Sequence, residues 1–160
     1  YCILRYFNIA GSSPSGKIGL INKSDHLFKN FSREIIKKRP ILKIYGDNYD
    51  TKDGSCIRDF IHVSDIAEIH YKVLEKINKL NNSKTLNCGY NKGISVLEVA
   101  KAFKKQTSKN VEIFVSKRRK GDLVKIIASN NKLKNFIKWK PKFNNLNTIV
   151  KSCINWEKRQ

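Results

Sequence analysis

The chain has 160 residues and carries 33 Lys and Arg against 13 Asp and Glu, a formal net charge of +20. Its 40% apolar and 10% aromatic residues are enough for a packed core and exclude a disordered polycation; no apolar run approaches the roughly 20 residues that a membrane-spanning helix needs. Cys2, Cys56, Cys88 and Cys153 are scattered without CxxC or CxxxC spacing, which argues against a zinc site or disulfide framework and for reduced thiols in a cytoplasmic protein.

The predicted elements alternate between strand and helix. The apolar run from residue 2 to 7 reads as a strand, and a polar loop with Gly, Ser and Pro follows from Gly11 to about Asn22. Leu27, Phe28, Phe31, Ile35 and Ile36 recur at helical spacing within 25–38, and Pro40 prevents continuation. Leu42 to Gly46 alternates as a short strand, and Asp53-Gly54 marks a turn. Residues 57–63 read as part strand. Ser64 is placed to cap a helix of about 16 residues, with Ile66, Ile69, Val73, Leu74 and Ile77 on its buried stripe. Thr85 to Cys88 is a strand, and Ser95-Val96-Leu97-Glu98 is a capping box opening a helix that runs to about Thr107. A strand over 111–115, another over 125–128, and helices over 130–138 and 146–156 complete an α/β chain with no linker dividing it.

Lysine supplies most of the positive charge. Lys, Asn and Ile are all encoded by A/T-rich codons, so a biased genome yields this composition without selection for a polyanion. The lysines are spread over nearly every predicted helix, and no RNP-like run, zinc-finger spacing or helix-turn-helix pattern accompanies them. Nucleic acid is therefore not the expected partner, and a standalone basic binding module is the distant alternative. Methionine is absent and the first residues read as a strand in mid-course, so the expectation is the later part of a longer protein.

Three motifs carry candidate chemistry. Arg5-Tyr6-Phe7-Asn8 ends a strand, and open α/β sheets bind ligands at the carboxyl edge of their strands. Asp53 to Asp65 sets Arg58, Asp59 and His62 around an apolar strand with a helix start behind it. That run is either a surface Arg58–Asp59 ion pair with an N-cap, or an arginine offered bidentately to an anion. Arg118-Arg119-Lys120-Gly121-Asp122 joins cations, a glycine and a carboxylate in a chain where arginine is scarce. Two arginine loops with a carboxylate suit a nucleoside diphosphate: guanidinium forks on phosphate oxygens, and an Asp accepting from ribose hydroxyls.

On Leu4 to Gly11 with Pro14-Ser15-Gly16, Ile44 to Thr51, Asp53 to Ala67, Leu86 to Gly89, Arg118 to Asp122 and the Trp139-Lys140-Pro141 turn, the chain resembles the C-terminal half of the UDP-glucose 4-epimerase family of extended short-chain dehydrogenase/reductases. The resemblance implies the C-terminal part of an extended Rossmann-type α/β fold. About 1–10 and 58–90 would complete an NAD-binding domain, with helix 64–79 packed on its parallel sheet; about 11–57 and 91–160 would form a nucleotide-sugar-binding lobe. It also implies bound NAD, which takes hydride from C4 of a UDP-sugar and returns it to the other face of a transient 4-keto intermediate. The Gly-rich fingerprint and catalytic Tyr-x-x-x-Lys pair of such enzymes would fall upstream of Tyr1, so no catalytic or metal-binding residue is expected here and the chain alone is expected to be inactive.

Carried over position by position, the family motif puts Tyr6 and Phe7 near the nicotinamide end of NAD and Asn8 on the substrate's diphosphate or sugar hydroxyls. Leu27 would line the uracil pocket, flanked by Lys43 and Tyr45, and His26 stands where relatives often have a small polar residue. Arg58 and Arg119 would clamp the diphosphate and Asp122 would hold the ribose. Ile126 would face the sugar, where a side chain smaller than that of relatives leaves room for an N-acetyl group. His62 takes a structural place at the strand-to-helix junction and His70 a packing or surface one. UDP-glucose and UDP-galactose are the implied substrates, UDP-N-acetylglucosamine or UDP-arabinose the alternatives. The implied partners are an N-terminal NAD-binding half and, at full length, a second copy in a homodimer.

Overall fold

Short parallel strands pair across long sequence separations in this protein, whose computed structural model describes residues 1–21 and 26–160. Strand β1 (Cys2–Tyr6) is continued after one residue by β2 (Asn8–Ala10). The strand expected over 2–7 is thus β1, one residue shorter, and a second strand not expected from the sequence follows it with a different partner. β1 lies parallel to β6 (Lys84–Cys88), with Tyr6 opposite Cys88, whereas β2 lies parallel to β5 (Phe60–His62). The exchange is made at Phe7 and Asn8: the Phe7 amide donates to the Cys88 carbonyl at 3.2 Å and the Asn8 amide to the Asp59 carbonyl at 3.0 Å. Strands 2–7 and 85–88, expected in one parallel sheet, do adjoin.

The 57–63 run divides in the same way. β4 (Ile57–Arg58) sits between β7 (Ile94–Ser95), antiparallel, and β9 (Lys125–Ile126), parallel. Between β4 and β5 the carboxylate of Asp59, fully buried, accepts from the amides of Tyr90 at 2.9 Å, Asn91 at 2.9 Å and Ala128 at 3.2 Å. The surface Arg58–Asp59 ion pair is not formed; Asp59 is a structural hub.

Helix α1 (Leu27–Ile35) begins after the segment 22–25, so the ends expected at Asn22 and residue 25 lie outside the described residues. It leads into β3 (Ile41–Tyr45), parallel to β8 (Glu112–Ser116). Helix α2 (Val63–Ile77) starts directly from β5, and its cap is His62 rather than Ser64. The extended His62 backbone aims its imidazole Nδ1 at the Ser64 amide, 3.1 Å away, which does the work of a capping hydroxyl. α2 packs on β5 and β2, and its His70 bonds Tyr6 of β1. Helix α3 (Val96–Lys104) opens on the expected capping box, Ser95 and Glu98 each bonding the other's backbone. It ends three residues short of Thr107. Helices α4 (Asn131–Ile137) and α5 (Leu146–Glu157) follow, α4 ending at Lys138 in the left-handed region with φ of 48°.

The core lies among α1, α3, α5 and the strands. Phe28 meets Phe60 and Phe103 edge-on with ring centres 5.0 and 5.6 Å apart, and Phe31 meets Phe103 at 5.6 Å. Each such pair adds about 0.5–1.5 kcal/mol beyond the area it buries. A second buried carboxylate, Asp65, accepts from the Tyr90 hydroxyl and the amides of Lys142 and Phe143, pinning α2 to the turn before α5. These packed elements hold the ends of β1, β3 and β4 beside one another.

Candidate functional site

Two adjoining cavities open where those strands end, and every site residue chosen from the sequence lines one of them. The first, about 560 Å³, is walled by Asn8, His26, Leu27, Lys43, Tyr45, Arg58, Arg119 and Asp122. The second, about 480 Å³, is walled by Tyr6, Phe7, Asn8, Arg58 and Ile126, with Arg5 and Asn87. Asn8 and Arg58 belong to both. This is the place where an open α/β sheet changes strand partner, the position such folds use for ligands.

Arg58 leaves β4 with its guanidinium fixed. Its Nη1 donates to the carbonyls of Ile57 and Leu123, both at 2.8 Å, and its Nη2 lies 3.6 Å from Asp122 Oδ1. Arg119 Nε donates to the other oxygen of Asp122 at 3.1 Å, and its guanidinium stands 4.8 Å from the centre of the Tyr45 ring. Lys43 Nζ is 5.1 Å from the same ring. Asp122 therefore holds two arginines together against their mutual repulsion, and the cluster keeps a net positive charge. The forked donors that remain match phosphate oxygens. Asn8 projects beside them from the strand switch, its Nδ2 3.4 Å from the Asp59 carbonyl.

The opposite wall is less polar. His26 precedes α1, and its Nδ1 is buried with no partner among the described residues. Burial lowers its pKa below the ordinary 6.5, against a weaker opposing pull from the Ile9 backbone, so the ring is neutral near pH 7. Leu20, Asn30, Phe31, Ile44, Cys56, Phe60 and Val96 complete the cavity and were not expected as site residues from the sequence. Asn30 and Phe31 stand three and four residues after Leu27, so the helical face that placed Leu27 could have flagged them. Nothing local marks Leu20, Cys56 or Val96. Burial raises the Cys56 thiol pKa, with Arg58 opposing, which leaves it a packing residue.

In the second cavity the Tyr6 hydroxyl bonds His70 Nε2. His70 Nδ1 is 2.8 Å from the Ile66 carbonyl, which can only accept, so Nδ1 carries the proton and Nε2 accepts from Tyr6. His70, expected as a packing or surface residue, thus orients Tyr6. His62 keeps its structural place, stacked on Phe143 at 4.5 Å.

The sequence profile of the NAD dependent epimerase/dehydratase family matches residues 1–89. The chain belongs to that family. It is 39% identical over 157 residues to the UDP-glucose 4-epimerase of Azospirillum brasilense, a match covering 98% of this chain and 45% of that protein. With the UDP-glucose 4-epimerase of Halalkalibacterium halodurans it shares 40% over 159 residues, covering 99% and 48%. The fold superposes on the UDP-glucose-4-epimerase of Stenotrophomonas maltophila, solved with bound NAD and formylated UDP-arabinopyranose. The TM-score there is 0.92 at 31% identity, over 99% of this chain and 47% of that one. On the UDP-Glc/GlcNAc 4-epimerase of Campylobacter jejuni the TM-score is 0.78 at 42% identity, over 99% and 48%. The chain spans about half the length of the relatives it matches, and the α/β epimerase fold expected from the sequence is the fold observed.

Proposed function

We propose that this chain is the nucleotide-sugar-binding part of a UDP-glucose 4-epimerase that interconverts UDP-glucose and UDP-galactose. The observation that carries this is the meeting of Asn8, Arg58, Arg119 and Asp122 on one cleft. The cleft shares Asn8 and Arg58 with the cavity of Tyr6, Phe7 and Ile126. Arg58 and Arg119 bind the diphosphate, each fork contributing about 1.5–3 kcal/mol as a charge-assisted bond. Asp122 takes the ribose hydroxyls with the oxygen capacity left beside its arginines, and Leu27, Lys43 and Tyr45 surround the uracil. The sugar then lies along Asn8 toward Ile126, within the second cavity.

The residues present fit the nicotinamide end of NAD: a half-exposed Tyr6 ring and Phe7 at the carboxyl ends of two parallel strands, facing a cavity wide enough for a flat heterocycle. NAD, when bound, supplies a hydride acceptor and donor for C4 of the sugar. Tyr6 and Phe7 position that ring, and Asn8 and Arg58 hold the sugar nucleotide against it. No Tyr in this sequence is followed by Lys four residues later, so the catalytic base belongs to an N-terminal half that this chain needs as a partner. We assign the full-length enzyme to the cytoplasm as a homodimer. Four free thiols and the lack of a helix long and apolar enough to cross a membrane among the described residues agree with the location.

Ile126 supports a wider substrate range. Its side chain leaves room for a 2-N-acetyl group, and the 42%-identical Campylobacter jejuni enzyme is named for both UDP-glucose and UDP-N-acetylglucosamine. Calorimetry on the full-length enzyme carrying this chain tests the assignment. Arg58→Ala should raise the dissociation constant of UDP at least tenfold, and an unchanged constant rejects the diphosphate site. Ile126→Tyr should remove turnover of UDP-N-acetylglucosamine while preserving that of UDP-galactose; equal loss of both denies Ile126 its part in selecting the sugar.

A further inference from the structure

α5 turns Ile149, Val150, Cys153 and Ile154 into the core. A second stripe of the same helix serves the loop that precedes α1. Ser152, Trp156 and Arg159 recur at i, i+4 and i+7, along one face of the helix and the turn that ends it. Ser152 Oγ accepts from the Ser12 amide at 3.2 Å, and the Ser152 carbonyl accepts from Ser12 Oγ at 2.8 Å. Trp156 Nε1 donates to the Leu20 carbonyl at 3.0 Å. Arg159 Nη1 donates to the carbonyls of Gly16 at 2.9 Å and Ser15 at 3.3 Å. The Leu20 carbonyl takes a second bond, at 2.8 Å, from Lys29 Nζ on α1. That ammonium is itself held 2.7 Å from Glu157 on α5, the two side chains only 6% and 8% exposed. The approach requires glycine at two points. A Cβ at Gly19 would fall on the Trp156 indole, and one at Gly16, where φ is 65°, on the Arg159 guanidinium.

What this clamp holds is a wall of the cleft. Leu20 and His26 line the nucleotide cavity on one side and, on the other, a cavity of about 400 Å³ reached by Phe28, Val63 and Trp156. A partition backed by a cavity is placed by its bonds, and the doubly bonded carbonyl belongs to Leu20. With the cleft taken as the UDP site, an assignment made above and on which this rests, we infer that α5 is a positioning element for ligand binding. Trp156 and the Lys29–Glu157 pair fix the Leu20 carbonyl, so the seating of Trp156 and occupancy of the cleft are coupled. Trp156 is not among the residues lining the nucleotide cavity; it acts through Leu20. By linkage the coupling runs both ways.

The test uses the full-length protein. Trp156→Phe removes the indole donor and keeps an aromatic ring. Arg159→Ala cuts the same loop free from a surface position and leaves the core intact, so it decides the matter where the first variant fails to fold. UDP should bind three- to tenfold more weakly to Trp156→Phe and two- to threefold more weakly to Arg159→Ala, while kcat at saturating UDP-galactose changes less than twofold. Amide exchange in peptides covering 12–21 should quicken in both variants without ligand. In protein labelled with 5-fluorotryptophan, the resonance that vanishes in Trp156→Phe should move when UDP is added to the wild type. Unchanged UDP affinity in the variants, or a Trp156 resonance indifferent to bound UDP, overturns the coupling. Wild-type protein that binds no UDP overturns the nucleotide assignment instead; α5's hold on the loop is then decided by exchange alone, sustained if it quickens and refuted if it does not.

Discussion

Asp59 and Asp122 are both carboxylates that organise strand ends beside the cleft, one residue after Arg58 and three after Arg119, and they do so in opposite ways. Asp59 is fully buried and satisfied by three backbone amides, with no cation in its shell of bonds. Asp122 keeps a side chain 20% exposed and is satisfied by two guanidinium groups. Backbone donors cannot leave, so Asp59 stores its binding capacity in the fold. Arg119, more than half exposed, can turn from the carboxylate to a phosphate at small cost, and Arg58, fixed by the Ile57 and Leu123 carbonyls, keeps donors beside Asp122 that a phosphate can share, so Asp122 holds its partners where a ligand can compete for them. The same functional group is structural in one place and ready for binding in the other, and the nature of its donors makes the difference.

Removing each carboxylate separates the two roles. Asp59→Ala should give the largest effect in the molecule. It strands three buried N–H groups at about 1–3 kcal/mol each, so urea denaturation of the full-length protein should reveal a loss above about 3 kcal/mol, and a loss below about 1 kcal/mol would show the hub to be dispensable. Asp122→Asn should cost less stability than Asp59→Ala, because it strands no backbone N–H and keeps a side-chain acceptor for Arg58, 12% exposed, and Arg119, more than half exposed. Its effect should appear in the cleft, where UDP binds three- to tenfold more weakly once the arginines lose their common anchor. An Asp122→Asn variant as destabilised as Asp59→Ala whose folded form keeps wild-type UDP affinity would reverse the assignment.

The contrast also explains what could be seen in the sequence. Amphipathic spacing and the Ser95–Glu98 capping box report local physics, and the helices built on them form, although α1 stops at Ile35 rather than 38 and α3 at Lys104 rather than Thr107. The breaks at Phe7 and Asp59 do not show in the sequence, because an apolar run looks continuous whatever its partners are; only the carbonyls of Cys88 and Asp59, distant in sequence, reveal the exchange. The start of α2 was misplaced at Ser64 because hydroxyls are the common caps, whereas an imidazole at the end of a strand does the same work. Arg58, Arg119 and Asp122 were legible because arginine is scarce here and glycine marks a loop. Leu20 and Cys56 were not, since an apolar side chain in a cleft wall looks the same in sequence as one in the core.

His62 gives the smallest effect and the one that tests the cap directly. Burial holds its pKa below the ordinary 6.5, with Asp65 opposing weakly, so folded His62 takes a proton less readily than unfolded His62 does. Below about pH 6.5 the unfolded state binds more protons, and stability falls with falling pH until the lowered folded value has been passed. Nδ1 accepts from the Ser64 amide only while unprotonated, so the cap is lost once pH falls through that lowered folded value. His26, also lowered by burial, adds a slope of the same sign. Asp53 stays out of this window: burial raises it, yet bonds from Ser95 and Ser55 and the charge of Lys101 hold it below 3.8. His62→Asn keeps a side-chain acceptor at the N-cap and removes the titration. The difference in urea stability between pH 7.5 and 5.5 should therefore be smaller in His62→Asn than in wild type, by the share that His62 contributes. Equal differences would mean that the buried imidazole keeps its ordinary affinity for protons and that the cap survives protonation.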